Sequence, residues 1–587
     1  MYETKLRTHT CGELNGKNDG LNVILAGWVK KKRDHGEIVF IDLRDRYGVT
    51  QVIIEEGRGD LKEQVKNVRG EFVVRVFGIV RKRPSNMVNK DIKTGEIEVV
   101  ANKIEILNES EVPPFEIKDE LSVQEELRLK YRYLDLRRDT LKETIIARHK
   151  TIQSMRTFLS EKGFLEIETP VLTRNTPEGA RDYLVPSRNH IGKFYSMAQS
   201  PQLYKQLLMV AGFDRYYQFA RCFRDEDMRS DRQPEFTQID IEMSFVDEED
   251  VFKITEGLMK KVFHDVISYD LETPFLRLTY KEAMEKYGSD KPDLRFGCQI
   301  NDITDMVKNC GFGVFENSDF TFAYNTKQLL SRKQIDEYND IAKKYGLPGL
   351  FYLKYTDEEL KGSIVKYLSE DVKHKLIEKL DIKNGDTLFL ASGKWKRTLE
   401  ALGACRRKTG NDFYIKDNEI KYKFLWVTEF PLFEWNEDEE KWEPCHHIFT
   451  MPRDEDIEYI ESDPGRVHGK LYDLVCNGVE ISSGSIRAFK KEIQERIMNV
   501  IGLSNEEAEK RFGFLIEGFK YGAPPHGGIA PGLDRLIMIM LNRDNIRDVI
   551  AFPKSLKASG IMEDSPSEVD EKRLTELGLK LIKKKGS

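Results

Sequence analysis

Alternating apolar and polar residues on both sides of a charged loop constrain the fold of this chain more than any other feature of its sequence. The apolar positions are Tyr217, Phe219 and Cys222 before the loop, and Phe236, Ile239, Ile241 and Met243 after it. Alternation with a period of two is typical of β-strands that bury one face. We therefore predict an antiparallel β-hairpin whose charged loop spans residues 225–233.

The loop and the ends of its two arms carry residue types that suit a nucleotide. Arg224 can donate two hydrogen bonds to phosphate oxygens, Glu226 can accept one from a purine amine, and Phe236 offers a flat face for stacking. An exposed hairpin with a solvated charged tip explains the same pattern without a ligand. The residues alone leave both interpretations open.

Size and composition predict a multidomain globular protein. At 587 residues the chain is longer than one hydrophobic core usually serves, so about three or four domains are expected. The sequence contains no apolar run of about eighteen residues, and its N-terminus lacks a signal peptide's apolar core, so we expect a cytoplasmic protein without membrane contact. The seven cysteines form no Cys-x-x-Cys pair, which argues against a disulfide framework or a structural zinc site.

The N-terminal part is predicted to be an OB-fold β-barrel. Five short β-rich runs lie at residues 23–28, 38–43, 49–54, 72–80 and 97–106. Basic turns at 30–33 and 81–83 could bind nucleic acid despite the net charge of −7, because affinity for phosphates depends on local patches. Phe40 could stack on a base, but a barrel that binds nothing, with Phe40 in its core, remains the alternative.

A helix that ends at Gly163 precedes a strand at residues 164–172 that contains Pro170. Proline lacks the N–H donor that a central strand requires, so this strand is expected at a sheet edge or against a second subunit.

Charged residues in the last quarter of the chain suggest the rest of a nucleotide site. Asp473 and Glu480 supply the hard oxygen ligands that Mg²⁺ on a triphosphate requires. Arg487 could bind a carboxylate in two places and reject an amide. Arg535 follows a glycine-rich stretch at the start of an apolar helix, where it could hold a terminal phosphate.

These patterns predict a multidomain fold in which a large α+β domain, with an antiparallel sheet that contains the hairpin, is interrupted by a separate α+β lobe. The predicted boundaries are 1–108 for the barrel, 109–140 for a linker and hinge, 141–291 and 423–560 for the two parts of the large domain, 292–422 for the inserted lobe, and 561–587 for a C-terminal extension. We find no catalytic constellation in the inserted lobe.

Three segments occur in the order that resembles the class II aminoacyl-tRNA synthetases: the helix and Pro170 strand as motif 1, the hairpin as motif 2, and the glycines before Arg535 as motif 3. With the barrel stretches 27–29 and 40–45 and the inserted lobe, the chain resembles the bacterial-type aspartyl-tRNA synthetases over nearly its whole length. The resemblance implies that aspartate attacks ATP to give aspartyl-adenylate, and that the 3′ end of tRNA-Asp then takes the aspartyl group. It also implies a homodimer through motif 1.

The resemblance also implies residue roles, with Arg224 and Arg535 as the catalytic pair. Aspartate would be bound by Glu178, Gln202, Lys205, Arg224, Asp240, His446 and Arg487. ATP would be bound by Arg224, Asp225, Glu226, Gln233, Phe236, Glu480, Gly532, Leu533, Asp534 and Arg535, and Mg²⁺ by Asp473 and Glu480. Anticodon bases would be contacted by Arg33, Phe40, Gln51 and Glu98.

His35 and Asn86 lie in loops where some bacterial members lack a leucine and a lysine and also charge tRNA-Asn. Whether this chain does so is left open. Two other readings also stay open: an asparaginyl- or lysyl-tRNA synthetase, which would share the barrel and motifs but not the insertion, and a catalytically inactive tRNA-binding paralogue.

Overall fold

The computed structural model describes residues 3–175, 180–416 and 420–582, which fold as two compact units that divide between Glu143 and Thr144. The division falls just past the predicted hinge at 109–140. Within the described residues, no helix is both long and apolar enough to cross a membrane.

The first unit contains the predicted barrel, which is a closed five-stranded sheet with the order β1-β2-β3-β5-β4. Its elements are β1 (Asn22–Asp34), β2 (Val39–Arg44), β3 (Val49–Ile54), α1 (Gly59–Val65), β4 (Val73–Lys82) and β5 (Ile97–Asn108). Alternate side chains of each strand point inward and form one apolar core. The OB-fold prediction is confirmed, and Phe40 lies half-buried on the barrel rather than in that core.

Two short helices follow the barrel, α2 (Glu125–Lys130) and α3 (Arg132–Asp135). Asp135 is fully buried and accepts hydrogen bonds from Arg128, Arg132 and Arg138. Burial disfavours its charged form, but these three cations outweigh that effect and hold the pKa of Asp135 below its ordinary value.

The next part of the chain forms the first half of the large domain. Its elements are α4 (Asp139–Glu161), β6 (Leu165–Glu166), β7 (Leu172–Thr173), β8 (Leu184–Pro186), β9 (Phe194–Met197), α5 (Gln202–Val210), β10 (Arg215–Phe223), β11 (Glu235–Ser244), α6 (Glu248–Ile267), β12 (Leu276–Thr279) and α7 (Tyr280–Tyr287). Helix α4 ends as predicted at Gly163, whose φ of +80° lets the Phe164 N–H donate back to the Leu159 carbonyl.

A separate five-stranded sheet with the order β13-β14-β17-β15-β16 lies in the stretch predicted as an inserted lobe. The elements are β13 (Ile300–Asp302), α8 (Thr304–Val307), α9 (Gly313–Glu316), β14 (Phe320–Asn325), α10 (Arg332–Lys344), β15 (Phe351–Thr356), β16 (Glu359–Lys361), α11 (Glu370–Lys379), β17 (Asp386–Gly393) and α12 (Trp395–Phe413). The predicted capping box is present, because Ser331 and Gln334 each accept from the other's backbone N–H.

The remaining elements complete the large domain. They are β18 (Phe424–Thr428), β19 (Phe433–Asn436), β20 (Lys441–Pro444), β21 (Leu471–Cys476), β22 (Val479–Ile486), α13 (Lys491–Val500), α14 (Asn505–Phe519), β23 (His526–Ile529), α15 (Leu533–Met540) and α16 (Glu571–Glu576).

One eight-stranded sheet, with the order β12-β18-β21-β22-β23-β11-β10-β6, positions the candidate site. The predicted hairpin is its β10–β11 pair, in which Cys222 lies opposite Phe236. Strand β23 links this hairpin to the β21–β22 pair, so the two halves of the domain meet at the centre of the sheet. The predicted strand at 164–172 is not continuous: residues 165–166 form β6, which lies at the sheet edge as expected, whereas residues 172–173 form β7 in a separate three-stranded sheet, and Pro170 lies between the two strands.

Candidate active site

A cavity of about 840 Å³ opens over the centre of the large sheet. Its walls come from the loop and the second strand of the β10–β11 hairpin, the start of α5, strand β22, the segment 441–449 and the residues around the start of α15. Elements that are far apart in sequence therefore contribute to one pocket.

Four buried charged side chains form an ion-pair cluster at one end of the cavity. Lys205 Nζ lies 2.9 Å from Asp240 Oδ1 and 3.5 Å from Glu242 Oε2. Arg487 donates from Nε to Glu242 Oε1 at 2.8 Å and from Nη2 to Glu242 Oε2 at 3.0 Å. All four residues are at most 1 % exposed, and their two positive and two negative charges balance.

The side of Arg487 that faces away from Glu242 is held by neutral groups. Its Nη1 donates to Ser485 Oγ at 2.8 Å and lies 2.9 Å from His447 Nε2. Burial, followed by the positive charge of Arg487, holds the pKa of His447 well below its ordinary value. The imidazole is therefore neutral and has one acceptor nitrogen, for which Arg487 Nη1 at Nε2 and the Phe449 N–H, 3.2 Å from Nδ1, compete.

Burial also disfavours the charged forms of the two ion-pair partners, but their mutual attraction prevails. The pKa of Glu242 lies below its ordinary value because Arg487 and Lys205 outweigh burial, and the pKa of Arg487 is raised by Glu242. This end of the cavity therefore holds fixed charges at neutral pH.

Two glycines on neighbouring strands leave the space that this cluster occupies. Glu242 pairs with Gly528 across β11 and β23, and a Cβ at residue 528 would lie 2.1 Å from Glu242 Oε2. A Cβ at Gly484 on the neighbouring strand would lie 2.3 Å from the Gly528 carbonyl oxygen. Only glycine fits at these two positions.

Several buried polar atoms around the cavity have no hydrogen-bond partner among the described residues. They are the acceptor Asp240 Oδ2 and the nitrogen atoms Gln202 Nε2, Arg224 Nε and His446 Nδ1. Buried polar groups are normally paired, so such unpaired atoms mark places where a ligand can supply the partner. Here the acceptor suits an ammonium, and the Gln202 and Arg224 donors suit carboxylate or phosphate oxygens.

The other end of the cavity holds the residues predicted to bind a nucleotide. The guanidinium of Arg224 lies 5.1 Å from the centre of the Phe236 ring. Arg535 donates to the Glu480 carbonyl oxygen at 3.3 Å and to Asp231 Oδ2 at 3.2 Å. Glu226 accepts from Arg232 at 3.0 Å. These side chains all line the cavity.

Three further residues that were predicted to bind ATP make contacts with other parts of the protein. The Gln233 amide lines the cavity but bonds twice to the backbone of Lys554, at 3.0 and 2.8 Å. Asp534 is buried and accepts from the Thr237 N–H at 2.9 Å, so it fixes strand β11. Leu533 lies wholly in the hydrophobic core.

The remaining residues that were predicted to bind ATP or aspartate are Gly532, Asp225 and Glu178. Gly532 lines the cavity, whereas Asp225 forms a backbone bridge with Arg181 at the edge of the hairpin. Glu178 lies outside the described residues.

The carboxylates predicted to bind Mg²⁺ lie on the paired strands β21 and β22. Burial, followed by the negative charge of Asp473, raises the pKa of Glu480. Asp473 Oδ1 is buried without a hydrogen-bond partner among the described residues, and Oδ2 lies 3.4 Å from His446 Nε2. The buried carboxylate of Asp473 and the half-buried one of Glu480 repel each other, and such a pair fits a hard divalent cation.

No group of three or more metal-ligating side chains occurs in the ranges that the structure describes. Mg²⁺ usually binds one or two carboxylates and takes its other ligands from water and phosphates.

His446 lines the cavity beside this carboxylate pair. Burial works against its charged form, but the charge of Asp473 outweighs burial, so the pKa of His446 lies well above its ordinary value. The two adjacent histidines thus face different partners, with His446 on Asp473 and His447 on Arg487.

The predicted anticodon residues form a continuous chain of contacts on the barrel. Arg33 lies 2.8 Å from Asp42 Oδ1, donates to Gln51 at 3.3 Å and sits 6.0 Å from the Phe40 ring. Gln51 in turn donates to Glu98 at 3.2 Å. A half-buried aromatic ring is thus surrounded by polar groups of fixed orientation.

His35 is one of the two residues expected to affect which tRNA is charged. Its ring makes a T-shaped contact with the Phe40 ring, with 5.8 Å between the two ring centroids. Asn86 is exposed in a separate turn at Ser85–Met87.

Sequence reasoning missed Glu242, His447, Ser485 and Asp231. The signal for Glu242 was available, because it lies two residues after Asp240 in a strand and so shares its face. Ser485 likewise lies only two residues before Arg487, whereas His447 and Asp231 owe their positions to contacts between distant segments, which have no local signature.

A family model described as tRNA synthetases class II (D, K and N) matches residues 124–556, and one described as an OB-fold nucleic acid binding domain matches residues 23–107. The chain is 52% identical over 582 residues to the "Aspartate--tRNA(Asp/Asn) ligase" of Caldanaerobacter subterraneus, with 98% of each chain covered. It is 48% identical over 584 residues to the "Aspartate--tRNA ligase" of Ruminiclostridium cellulolyticum, again with 98% of each covered.

Among solved structures, asparaginyl-tRNA synthetase from Pyrococcus horikoshii complexed with asparaginyl-adenylate matches 94% of this chain and 99% of its own, with a TM-score of 0.59 and 19% identity. At that identity the match supports the fold alone. The family model and the full-length relatives go further. The chain belongs to the aspartate–tRNA ligase family of the class II tRNA synthetases.

Proposed function

We propose that the cavity binds L-aspartate and ATP and forms aspartyl-adenylate, whose aspartyl group is then transferred to the 3′ end of tRNA-Asp. The observation that carries this proposal is the arrangement of Asp240 and Arg487 in one buried cluster. Asp240 Oδ2 has no partner among the described residues and suits an ammonium, whereas Arg487 is a fixed cation for a carboxylate. Aspartate carries both groups.

Selection against asparagine follows from the charges of the cluster. The Nε–Nη2 side of Arg487 already holds Glu242, so the substrate carboxylate would approach the edge formed by Nη1 and Nη2 and take the place of His447 Nε2. An amide would present N–H donors to a guanidinium that has only donors, and would bring no charge.

Activation needs no nucleophile from the protein, because the aspartate α-carboxylate attacks the α-phosphate of ATP and pyrophosphate leaves. Arg224 lines the cavity and would hold the reacting groups together, while Arg535 would bind the far end of the triphosphate. Positioning and charge neutralisation are the main sources of rate acceleration in such a transfer. Mg²⁺ held by Asp473 and Glu480 would neutralise triphosphate charge.

The barrel would provide the tRNA contact. Phe40 is available for stacking on an anticodon base, and Arg33, Gln51 and Glu98 present polar groups next to it. We include tRNA-Asn as a second acceptor, because the name of the Caldanaerobacter relative contains both tRNAs and His35 borders the Phe40 ring. The cytoplasmic location, the domain boundaries and the homodimer remain predictions.

The experiment measures ATP–pyrophosphate exchange with aspartate, asparagine and lysine in turn. We expect exchange with aspartate only, and we expect Arg487→Leu to lower kcat/KM for aspartate by roughly 100-fold or more, because the substrate carboxylate loses its charged partner, which costs about 2–5 kcal/mol of binding free energy. Arg496→Leu, which removes an exposed arginine paired with Glu461, is the control and should have little effect.

Exchange that prefers asparagine or lysine would favour one of the other synthetases, and no exchange at all would favour an inactive paralogue. The wild-type protein is then tested for aspartylation of purified tRNA-Asp and tRNA-Asn. We expect both to be charged, and charging of tRNA-Asp alone would contradict the second acceptor.

A further inference from the structure

The loop between β10 and β11 places an acidic side chain on the arginine at the nucleotide end of the cavity. Asp231 Oδ2 lies 3.2 Å from Arg535 Nη2, and both residues line the cavity. The loop is fixed on either side of Asp231, because the Ser230 carbonyl accepts from the Ile546 N–H at 2.8 Å and Gln233 is bonded to Lys554. The ion pair between Asp231 and Arg535 is therefore part of the fixed structure of the cavity.

This ion pair is a weak stabiliser of the fold. The side chains of Asp231 and Arg535 are 37% and 27% exposed, and ion pairs that are this open to water contribute little to folding stability. Its position matters more, since an anion on Arg535 occupies donors that a terminal phosphate would need.

A phosphate and the Asp231 carboxylate cannot share Arg535 without repelling each other at short range. The backbone carbonyl of Glu480 already takes the Nη1 side of the guanidinium at 3.3 Å. A phosphate that binds Arg535 must therefore displace Asp231 or bind beside it at a cost.

We propose that Asp231 is a positioning residue that holds Arg535 in place before the nucleotide arrives and competes with the terminal phosphates for it, which weakens the binding of pyrophosphate and promotes its release. This inference rests on the proposed function of the cavity. The loop would thereby affect the turnover rate, since product release limits the rate of many enzymes.

The test compares Asp231→Asn with the wild-type protein by calorimetric titration with magnesium pyrophosphate. Asparagine keeps the size of the side chain and removes its charge. We expect Asp231→Asn to bind pyrophosphate about three- to tenfold more tightly, which is the range that a partly exposed ion pair can supply. In exchange assays the KM for pyrophosphate should fall by a similar factor, while the KM for aspartate stays unchanged.

Two control variants separate this competition from general effects. Asp227→Asn removes an exposed carboxylate of the same loop that forms no ion pair with any described residue, and it should leave pyrophosphate affinity near the wild-type value. Asp231→Glu keeps the charge and should also stay near it. If Asp227→Asn strengthened binding as much as Asp231→Asn, the net charge of the loop would be the cause and the inference would fail.

A double-variant cycle completes the test. If Asp231 acts through Arg535, then Asp231→Asn should have little effect on pyrophosphate binding in an Arg535→Ala background. Unchanged or weaker binding by Asp231→Asn alone would overturn the inference, even with aspartate-dependent exchange intact. Because the titration needs no turnover, tighter binding would uphold it even if the proposed substrate were wrong.

Discussion

At the scale of single residues, Glu242 fixes the orientation of Arg487 in the cavity. Its two oxygens hold the Nε–Nη2 side of Arg487, and it also lies 3.5 Å from Lys205. The guanidinium therefore cannot rotate, and only its remaining edge points to the cavity. The residue scale was the least predictable from sequence, because the pairing of Glu242 with Arg487 joins positions 245 residues apart.

We expect Glu242→Gln to lower kcat/KM for aspartate by about 100-fold, because the amide cannot balance the charge of Arg487 and cannot accept from both of its nitrogens. The KM for ATP should change little, since Arg224 and Arg535 do not contact Glu242. The measurement is exchange kinetics with either substrate varied. Glu249→Gln on helix α6, which removes an exposed carboxylate paired with Arg277, is the matched control. An unchanged KM for aspartate in Glu242→Gln would contradict the role given to this residue.

At the scale of helices and strands, local patterns predicted most of the structure. Alternation located the β10–β11 hairpin, the Ser331 capping box located the start of α10, and Pro170 indicated the edge position of β6. These features depend on neighbours in sequence, which a single chain records directly. The order of strands in the large sheet was not predictable in this way, because it depends on pairings such as that of β12 with β18.

The face of β2 that carries Phe40 is expected to decide tRNA affinity. Phe40→Ala should raise the KM for tRNA-Asp by about tenfold, since stacking of one base on an aromatic contributes roughly 1–3 kcal/mol. Exchange of ATP with pyrophosphate should be unaffected, because it requires no tRNA. Phe77→Ala is the matched control, as Phe77 is another half-buried ring of the barrel that sits beside a cation, Arg75. Equal losses in exchange and in tRNA KM would mean that Phe40 only supports the fold of the barrel.

At the scale of the whole molecule, the described surface of the large domain exposes apolar side chains near the predicted motif 1. They are Leu165, Val171, Leu172, Leu184, Phe194 and Tyr195, which are between 40% and 56% exposed. Strand β6 also leaves one side of the sheet without a neighbouring strand. Exposed apolar residues beside an open strand edge are typical of a subunit interface.

We expect the protein to sediment at twice the chain mass of 68.3 kDa, and Leu172→Glu to sediment at the single-chain mass, because a buried charge without a partner opposes association. Sedimentation equilibrium provides the measurement. Leu276→Glu is the control, since Leu276 is 48% exposed on β12 at the opposite edge of the sheet, and its mass should remain that of the wild-type protein. A wild-type protein that sediments at 68.3 kDa would refute the predicted dimer.

The glycines at the centre of the large sheet have a consequence for any attempt to redesign the substrate preference of this protein. Replacing Arg487 by a neutral residue would leave Lys205, at 3.5 Å, as the remaining described cation beside Glu242, and no side chain fits at residue 528 to add another. Any redesign must therefore vary residues 242 and 487 together. Libraries that vary them together, with residues 484 and 528 kept as glycine, should yield folded proteins with new preferences far more often than libraries that vary Arg487 alone.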